Sequence, residues 1–152
     1  MYIDIHNTDK QYNIIYADPP WSYNDKLGGR SDMGATPYPQ MSQDELNALP
    51  IPQLVKKDSI LFMWATMPKL QEVLDTIKAW GFKYKTCAFC WVKQNPSGVG
   101  IYSGLGHWVN GNAELCSKGI GKGCYQDYGV LTDVLNILTE CQCYLNGVCQ
   151  KV

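Results

Sequence analysis

The sequence predicts an α/β fold with a largely parallel sheet, and three observations carry that prediction. Residues 12–17 form a β-rich run that stops at a proline, and residues 59–65 form an apolar run without polar alternation. A segment with helical periodicity then leads into a third strand-like run. A strand without alternation is typical of a strand buried on both faces, as in parallel sheets. Ligands of such sheets lie beyond the carboxyl ends of the strands.

The first elements are defined by their ends. Tyr12 to Ala17 stops at Asp18-Pro19, because proline cannot donate to strand pairing. Ser42 to Glu45 matches a capping box and predicts a short helix that ends near Pro50. Between them, the glycine-rich stretch 22–36 predicts a long loop.

The later elements follow the same logic. A helix is predicted from Pro68 to Gly81, because its apolar residues recur at helical spacing and glycine ends it. Phe82 to Val92 predicts the next strand, and Glu114 to Cys116 a further short one. The stretch 95–112 contains five glycines and predicts a second long loop.

Composition places the chain among globular proteins of one domain. It has 152 residues, 45% hydrophobic and 18% charged, with no apolar run long enough to span a membrane. The first residues lack the features of a signal peptide, so we expect a cytoplasmic protein without membrane contact. The net charge of −1 does not indicate a nucleic-acid binder. Lysines group locally at 83, 85 and 93 and at 118 and 122, although solvated lysines flanking strands are the simpler interpretation.

The seven cysteines predict neither a disulfide framework nor a metal site. Without a secretion signal, an odd number of cysteines indicates reduced thiols. Cys87 and Cys90 have C-x-x-C spacing, but strand alternation would point their thiols to opposite faces. The four cysteines after residue 120 combine a C-x-C pair with distant partners and no nearby histidine, which is a poor zinc signature. We therefore expect no metal.

The segment Asp18-Pro19-Pro20-Trp21 carries the chemistry. A carboxylate and a backbone carbonyl held by two prolines can accept both hydrogens of an adenine amino group, which favours a localised lone pair on that nitrogen. Trp21 would offer a flat face for base stacking. The alternative is a rigid Pro-Pro turn that carries a core tryptophan.

The chain resembles the MT-A70 family of adenine N6 methyltransferases. The resemblance covers about residues 12 to 118, in the family's order. It rests on A-D-P-P-W-S-Y at 17–23, Y-P-x-M at 38–41, E-L to P at 45–50, a strand ending in W-x-T at 60–66, W-G-F at 80–82, W-V-K at 91–93 and N-A-E-L-C at 112–116.

The resemblance implies a Rossmann-like methyltransferase fold and the cofactor S-adenosylmethionine. It implies transfer of a methyl group to N6 of adenine in nucleic acid. It favours DNA over RNA, because the small chain carries no added RNA-binding or zinc-finger segment and is similar to phage and bacterial members. The site residues that it implies are Asp18, Pro19, Pro20 and Trp21 for catalysis, Asp4, Ile5 and Asp18 for the cofactor, and Tyr23, His107, Trp108 and Asn110 for the substrate.

The C-terminal region departs from the family pattern. The E-L-F-A-R strand and the P-G-W and W-G-N stretches expected there are missing, and Arg30 is the one arginine of the sequence. We therefore divide the chain into a methyltransferase domain, 1–118, and an atypical tail, 119–152. The expected fold is incomplete at its C-terminus, with part of the cofactor pocket unbuilt. The alternative function is a non-catalytic, truncated or degenerate domain that at most binds nucleic acid or a partner.

Overall fold

A computed structural model of the chain describes residues 4–23, 39–103 and 111–123, whose strands form one four-stranded sheet in the order β1-β2-β4-β3. Helices α1 and α2 follow β1, and α3 lies between β2 and β3, preceded by a 3-10 turn at Met67–Lys69. The bounds are β1 Tyr12–Ala17, α1 Gln43–Asn47, α2 Ile51–Leu54, β2 Val55–Thr66, α3 Leu70–Ala79, β3 Lys83–Val92 and β4 Ala113–Ile120.

The sheet is mixed, and its directions correct one part of the sequence prediction. β1 pairs with β2 in parallel, whereas β4 is antiparallel to both β2 and β3. Strands β1, β2 and β3 therefore point the same way, but the only parallel ladder of the described sheet is β1–β2. β4 is reversed because the chain leaves β3 at its carboxyl end and returns to the sheet at that same end, without a crossover. The α/β class and the Rossmann-like fold are confirmed.

Strand β2 is buried on both faces, as its lack of alternation predicted. Leu61, Met63 and Ala65 belong to a core cluster shared with the helices. Ile60, Phe62 and Trp64 belong to a second cluster with side chains from the other three strands. β2 is therefore the central strand of the fold, with core residues packed against both of its faces.

Helices α1 and α3 pack on one face of this sheet. The Ser42 hydroxyl and the Glu45 carboxylate form the predicted capping box of α1. The indole Nε1 of Trp80, at the end of α3, donates to the Leu46 carbonyl over 2.8 Å. Gly81 follows with φ of 82°, a left-handed conformation that glycine adopts without strain and that ends the helix.

Two elements are longer than the sequence indicated. β2 begins at Val55 rather than at residue 59. Its early residues Lys56, Lys57 and Asp58 are exposed and charged, so the sequence shows no apolar run there. β4 continues from Ala113 to Ile120, past the domain boundary that we placed at residue 118. Beyond residue 123 the tail lies outside the described residues.

No helix in the described ranges is long and apolar enough to cross a membrane.

Candidate active site

Three strands bring their site residues to one edge of the sheet. β1 and β2 are parallel, with Ala17 paired to Met63, so Asp18 and Thr66 both lie at carboxyl ends. β4 runs the other way and pairs Glu114 with Thr66, which places the start of β4 at this edge. This edge, where Asp18, Thr66 and Glu114 meet, is where a parallel α/β sheet binds its ligands.

The pKa of Asp18 is raised from the ordinary value of an aspartate. The side chain keeps contact with solvent, yet burial by the surrounding protein raises its pKa above 3.8, and the negative charge of Glu114 raises that pKa further. Burial is the larger cause. Asp18 is thus a carboxylate whose proton affinity is increased by its place at the strand end.

Glu114 is held in place by a lysine. Lys93 Nζ lies 2.5 Å from Glu114 Oε1, and the same ammonium group lies 4.9 Å from the centroid of the Trp91 ring. Both partners of the ion pair are half-buried. The pair fixes the second carboxylate that acts on Asp18.

The two proline carbonyls are used by the protein itself. The backbone N–H of Trp21 donates to the Pro19 carbonyl over 2.8 Å, and the Met41 N–H donates to the Pro20 carbonyl over 2.9 Å. A carbonyl oxygen has two lone pairs. The Pro19 oxygen therefore retains acceptor capacity for one further hydrogen bond, while its orientation is fixed by the first.

Trp21 is a core residue, which corrects the expectation that its ring offers a free face to a base. It is 6% exposed, packs in the cluster that contains Leu46 and Met63, and donates its Nε1 to the Trp64 carbonyl over 3.0 Å. A large apolar ring with one N–H is stabilised by burial where a carbonyl is within reach. The Trp21 side chain therefore attaches the segment that follows Pro19 and Pro20 to β2.

Tyr23 is attached to the carboxyl end of β2. Its hydroxyl and the Thr66 hydroxyl are 2.6 Å apart, and Lys69 Nζ lies 5.4 Å from the centre of its ring. The Tyr23 side chain is exposed at 38%. The ring is thus held at its hydroxyl by the carboxyl end of β2, with part of its surface exposed.

A cavity of about 410 Å³ runs along β1 to the site. Its wall combines Asp18, Pro19 and Pro20 with apolar side chains of the strand and helices, and Ile5 joins them from the N-terminal segment. Asp4 is not part of this wall. Its Oδ1 accepts the His6 N–H over 2.9 Å, in a turn that carries Ile5 to the cavity.

The expected substrate residues of the second loop, His107, Trp108 and Asn110, lie outside the described residues. The base of their loop is described. Asn112 accepts the Lys93 N–H at Oδ1 over 2.6 Å and donates Nδ2 to the Lys93 carbonyl over 3.0 Å. The amide thereby continues the β3–β4 ladder past its last pair and closes the loop.

Sequence reasoning missed Thr66, Asn112 and Glu114 as members of the site. A signal was present for each, since Thr66 ends the W-x-T strand and Asn112 and Glu114 belong to the N-A-E-L-C segment. Thr66 comes to the end of β1 through the pairing of β1 with β2, and Asn112 and Glu114 come to the same edge through the pairing of β4 with β2.

The described cysteines are free thiols. Cys87 and Cys90 are exposed on β3, and Cys116 is buried in β4. Burial raises the pKa of Cys116 to about 12, with further contributions from Cys87 and Asp18. Within the described ranges, no group of three or more side chains is arranged to hold a metal ion.

A family model described as MT-A70 matches residues 12–141, which include every described site residue from Asp18 to Glu114. The chain belongs to the MT-A70 family. The match of the MT-A70 model continues past residue 118 into the segment that we set apart as the tail.

Three relatives show the extent of the MT-A70 similarity. The type II methyltransferase M.MunI of a Mycoplasma species is 37% identical over 105 residues, 57% of this chain and 45% of that protein. A probable N(6)-adenosine-methyltransferase MT-A70-like protein of Oryza sativa subsp. japonica is 32% identical over 126 residues, 82% of this chain and 16% of that protein. An N(6)-adenosine-methyltransferase MT-A70-like protein of Drosophila melanogaster is 33% identical over 111 residues, 72% of this chain and 16% of that protein. The chain thus spans less than half the length of the curated relatives that it matches.

Proposed function

We propose that this MT-A70 chain transfers a methyl group from S-adenosylmethionine to N6 of adenine in nucleic acid. One observation carries the proposal: Asp18 and Pro19, whose carbonyl is oriented by the Trp21 N–H, both line the cavity that runs along β1 to its carboxyl end. This is the pair of acceptors that an exocyclic amino group requires. Membership of the MT-A70 family supports the same reaction.

The N6 nitrogen is a poor nucleophile because its lone pair is delocalised into the purine ring. Asp18 accepts one N6 hydrogen, and the remaining lone pair of the Pro19 carbonyl accepts the other. Both hydrogen bonds favour a tetrahedral nitrogen with a localised lone pair. The nitrogen loses a proton once it carries the methyl group, and a carboxylate with a raised pKa is the better acceptor for that proton.

The cofactor site is assigned to the same cavity. Its volume of about 410 Å³ lies in the range of small-molecule sites, and its wall is largely apolar. Asp18 is the charged group of this wall, which suits a cationic ligand, and Ile5 supplies an apolar contact from the N-terminal turn. S-adenosylmethionine, when bound, supplies an electrophilic methyl group on a sulfonium centre.

Tyr23 and Trp21 have different tasks in this proposal. Tyr23 presents an exposed ring beside the acceptors and is the residue that contacts the target base. Trp21 acts through the backbone, because its hydrogen bond to Trp64 holds the Pro-Pro turn against β2. Alignment of bound groups by such supports lowers the barrier of a two-substrate reaction.

We propose DNA as the substrate. M.MunI, named a type II methyltransferase, is matched over 45% of its length, whereas the Oryza and Drosophila N(6)-adenosine-methyltransferase MT-A70-like proteins are matched over 16%. The test supplies both nucleic acids. The chain is incubated with S-adenosylmethionine carrying a labelled methyl group and with DNA or RNA of one sequence, and the nucleosides are then separated. N6-methyladenine from DNA is expected, and labelling no greater than that of Asp18→Asn would contradict the proposal.

A non-catalytic domain is the second candidate function. Two observations favour it. The chain matches only 45% of the length of M.MunI, and β1 pairs only with β2 among the described strands. A cofactor cavity along a strand with one neighbour has less of its wall preorganised. Titration calorimetry distinguishes the candidates. An enzyme binds S-adenosylmethionine saturably, and a non-catalytic domain shows no heat of binding.

A further inference from the structure

Seven lysines of β2, α3, β3 and the end of β4 lie between the middle of the sheet and its amino end, away from the edge that carries Asp18. β2 and β3 begin at this end, β4 finishes there, and α3 reaches it as it leads from β2 to β3. We refer to these residues as the lysine rim: Lys56, Lys57, Lys78, Lys83, Lys85, Lys118 and Lys122.

The strand register brings the rim together. Lys83 pairs with Ile120, and Lys118 lies between Phe62 of β2 and Thr86 of β3. The Gly123 N–H donates to the Lys57 carbonyl over 3.2 Å, which holds the end of β4 and residue 122 beside the start of β2. Neighbouring strands are about 5 Å apart, so Lys83 and Lys85 of β3 fall within roughly 10 Å of Lys118 in β4, while Lys57 of β2 lies about 15–20 Å from Lys118 along the sheet.

The charges of the rim are not neutralised within the described part of the chain. The two ion pairs of the described residues join Lys69 to Glu72 and Lys93 to Glu114, and both lie toward the edge that carries Asp18. The rim lysines make no ion pair there, and all are exposed except the half-buried Lys118. Asp58 lies within the rim, and Asp75 is three residues before Lys78 in α3. Among the described residues, seven lysines against two aspartates therefore give this part of the sheet a positive charge that the net charge of −1 for the whole chain does not show.

We propose that the lysine rim binds the phosphodiester backbone of nucleic acid at a second contact, away from the adenine site. Duplex DNA carries one negative charge per about 1.7 Å of its axis, and lysines that neutralise phosphates release condensed counterions. Lysine contacts phosphate as a point charge without reading bases, so the contact is independent of sequence.

The distance between the two ends gives the contact a role. Ala17 pairs with Met63, so Asp18 lies level with Trp64, about 23 Å along β2 from Lys57 at the usual rise of a strand. Lys83, which pairs with Ile120 at the level of Ile60, is about 13 Å from that position along the strands. If Asp18 receives the target adenine, which rests on the proposed function, the rim holds the backbone less than one helical turn of DNA, about 34–36 Å, away from it.

The test measures binding without the methylation reaction. The full chain is titrated into a fluorescent duplex that contains only G·C pairs and is two helical turns long, and the association constant is followed against salt concentration. The duplex has no adenine, so the result does not depend on the adenine site. The variants are Lys83→Gln with Lys85→Gln, the charge-conserving Lys83→Arg with Lys85→Arg, and Asp58→Asn.

We expect the wild type to bind at low salt with a steep salt dependence. The slope of log K against log salt is negative. Its magnitude should decrease by about 2 in the double glutamine variant, near 0.9 for each lost phosphate contact, and should be unchanged in the double arginine variant. Asp58→Asn should bind more tightly, a gain that misfolding does not produce. Unchanged slopes in the glutamine variant, or absence of wild-type binding at low salt, would overturn the proposal. Binding through the rim without N6 methylation would retain this inference and reject the proposed function.

Discussion

The indole N–H of Trp21 donates to the carbonyl oxygen of Trp64 over 3.0 Å, across 43 residues of sequence. Two residues further along each segment, the hydroxyls of Tyr23 and Thr66 meet at 2.6 Å. Two hydrogen bonds thus join the residues after the Pro-Pro turn to the end of β2. The acceptors at Asp18 and Pro19 depend on this attachment for their position.

Replacing Trp21 should separate packing from hydrogen bonding. Trp21→Ala empties a core position and is expected to destabilise the fold by about 3–5 kcal/mol. Trp21→Phe keeps most of the apolar contact and loses the hydrogen bond, so a loss of roughly 1–2 kcal/mol is expected. Urea unfolding followed by circular dichroism measures both. Wild-type stability of Trp21→Ala, with activity lost, would instead indicate a ring that contacts the substrate.

The raised pKa of Asp18 predicts the acid limb of activity. Asp18 accepts a hydrogen bond only when ionised, so kcat/KM should fall as pH decreases through its pKa, at a pH above the ordinary 3.8. Glu114→Gln removes the smaller cause and should move the limb to lower pH, while burial keeps it above 3.8. A limb that stays in place in Glu114→Gln would show that Glu114 does not act on Asp18.

The same pKa fixes the sign of a stability effect. A carboxyl whose pKa is higher in the folded state disfavours folding when ionised, so its cost is absent at low pH and fully present above the folded pKa. Asp18→Asn should therefore be slightly more stable than wild type at neutral pH while it loses methyl transfer. Thermal unfolding at pH 4 and pH 7 checks this, because the difference should grow with pH. A destabilised Asp18→Asn at neutral pH would contradict it.

Asn112 should matter for the loop more than for the sheet. Asn112→Ala removes both side-chain hydrogen bonds to the Lys93 backbone, at an expected cost of about 1–3 kcal/mol. Asn112→Asp keeps the acceptor and loses the donor. The Lys93 N–H should therefore lose less protection from hydrogen exchange in Asn112→Asp than in Asn112→Ala. Hydrogen exchange at that amide reports on the contact directly. Equal protection in wild type and Asn112→Ala would show that the side chain does not hold the loop.

The described thiols should differ in reactivity. Cys116 is buried with a pKa of about 12, so it stays protonated and inaccessible at neutral pH, whereas Cys87 and Cys90 are exposed. A maleimide probe followed by peptide mass mapping should label Cys87 and Cys90 in the folded chain and Cys116 only after unfolding. Rapid native labelling of Cys116 would mean that β4 opens readily.

Local patterns predicted β1, α1, β2, α3 and β3, but they did not predict α2 or the length, position and direction of β4. The run from Tyr12 to Ala17, the capping box at Ser42 and the helix ending at Gly81 each depend on neighbouring residues, which a sequence displays directly. The pairing of Glu114 with Thr66 joins segments far apart in sequence. A short strand pattern contains no information on its partners, so the reversed β4 between β2 and β3 followed only from the structure.

The site shows the same division. Asp18 and Pro19 were predicted from a motif of four residues, and Ile5 was predicted from the resemblance to reach the same site. Trp21 was assigned to stacking because its type suits that task, but its burial is decided by Trp64 and Met63, which the motif does not contain. The functional assignments of all the site residues stay predictions: Asp4, Ile5, Asp18, Pro19, Pro20, Trp21, Tyr23, His107, Trp108 and Asn110.

The reversal of β4 has a consequence for how such a protein can change its specificity. The segment between Lys93 and Asn112 leaves the sheet and rejoins it at one edge, with its two ends joined by the Asn112 amide. Closing a loop costs only about 0.6 kcal/mol more when its length doubles. Insertions and deletions between these two residues would therefore be absorbed without disturbing the strands, and, under the proposed function, related chains could acquire new recognition sequences by varying this segment while the edge that carries Asp18 stays constant.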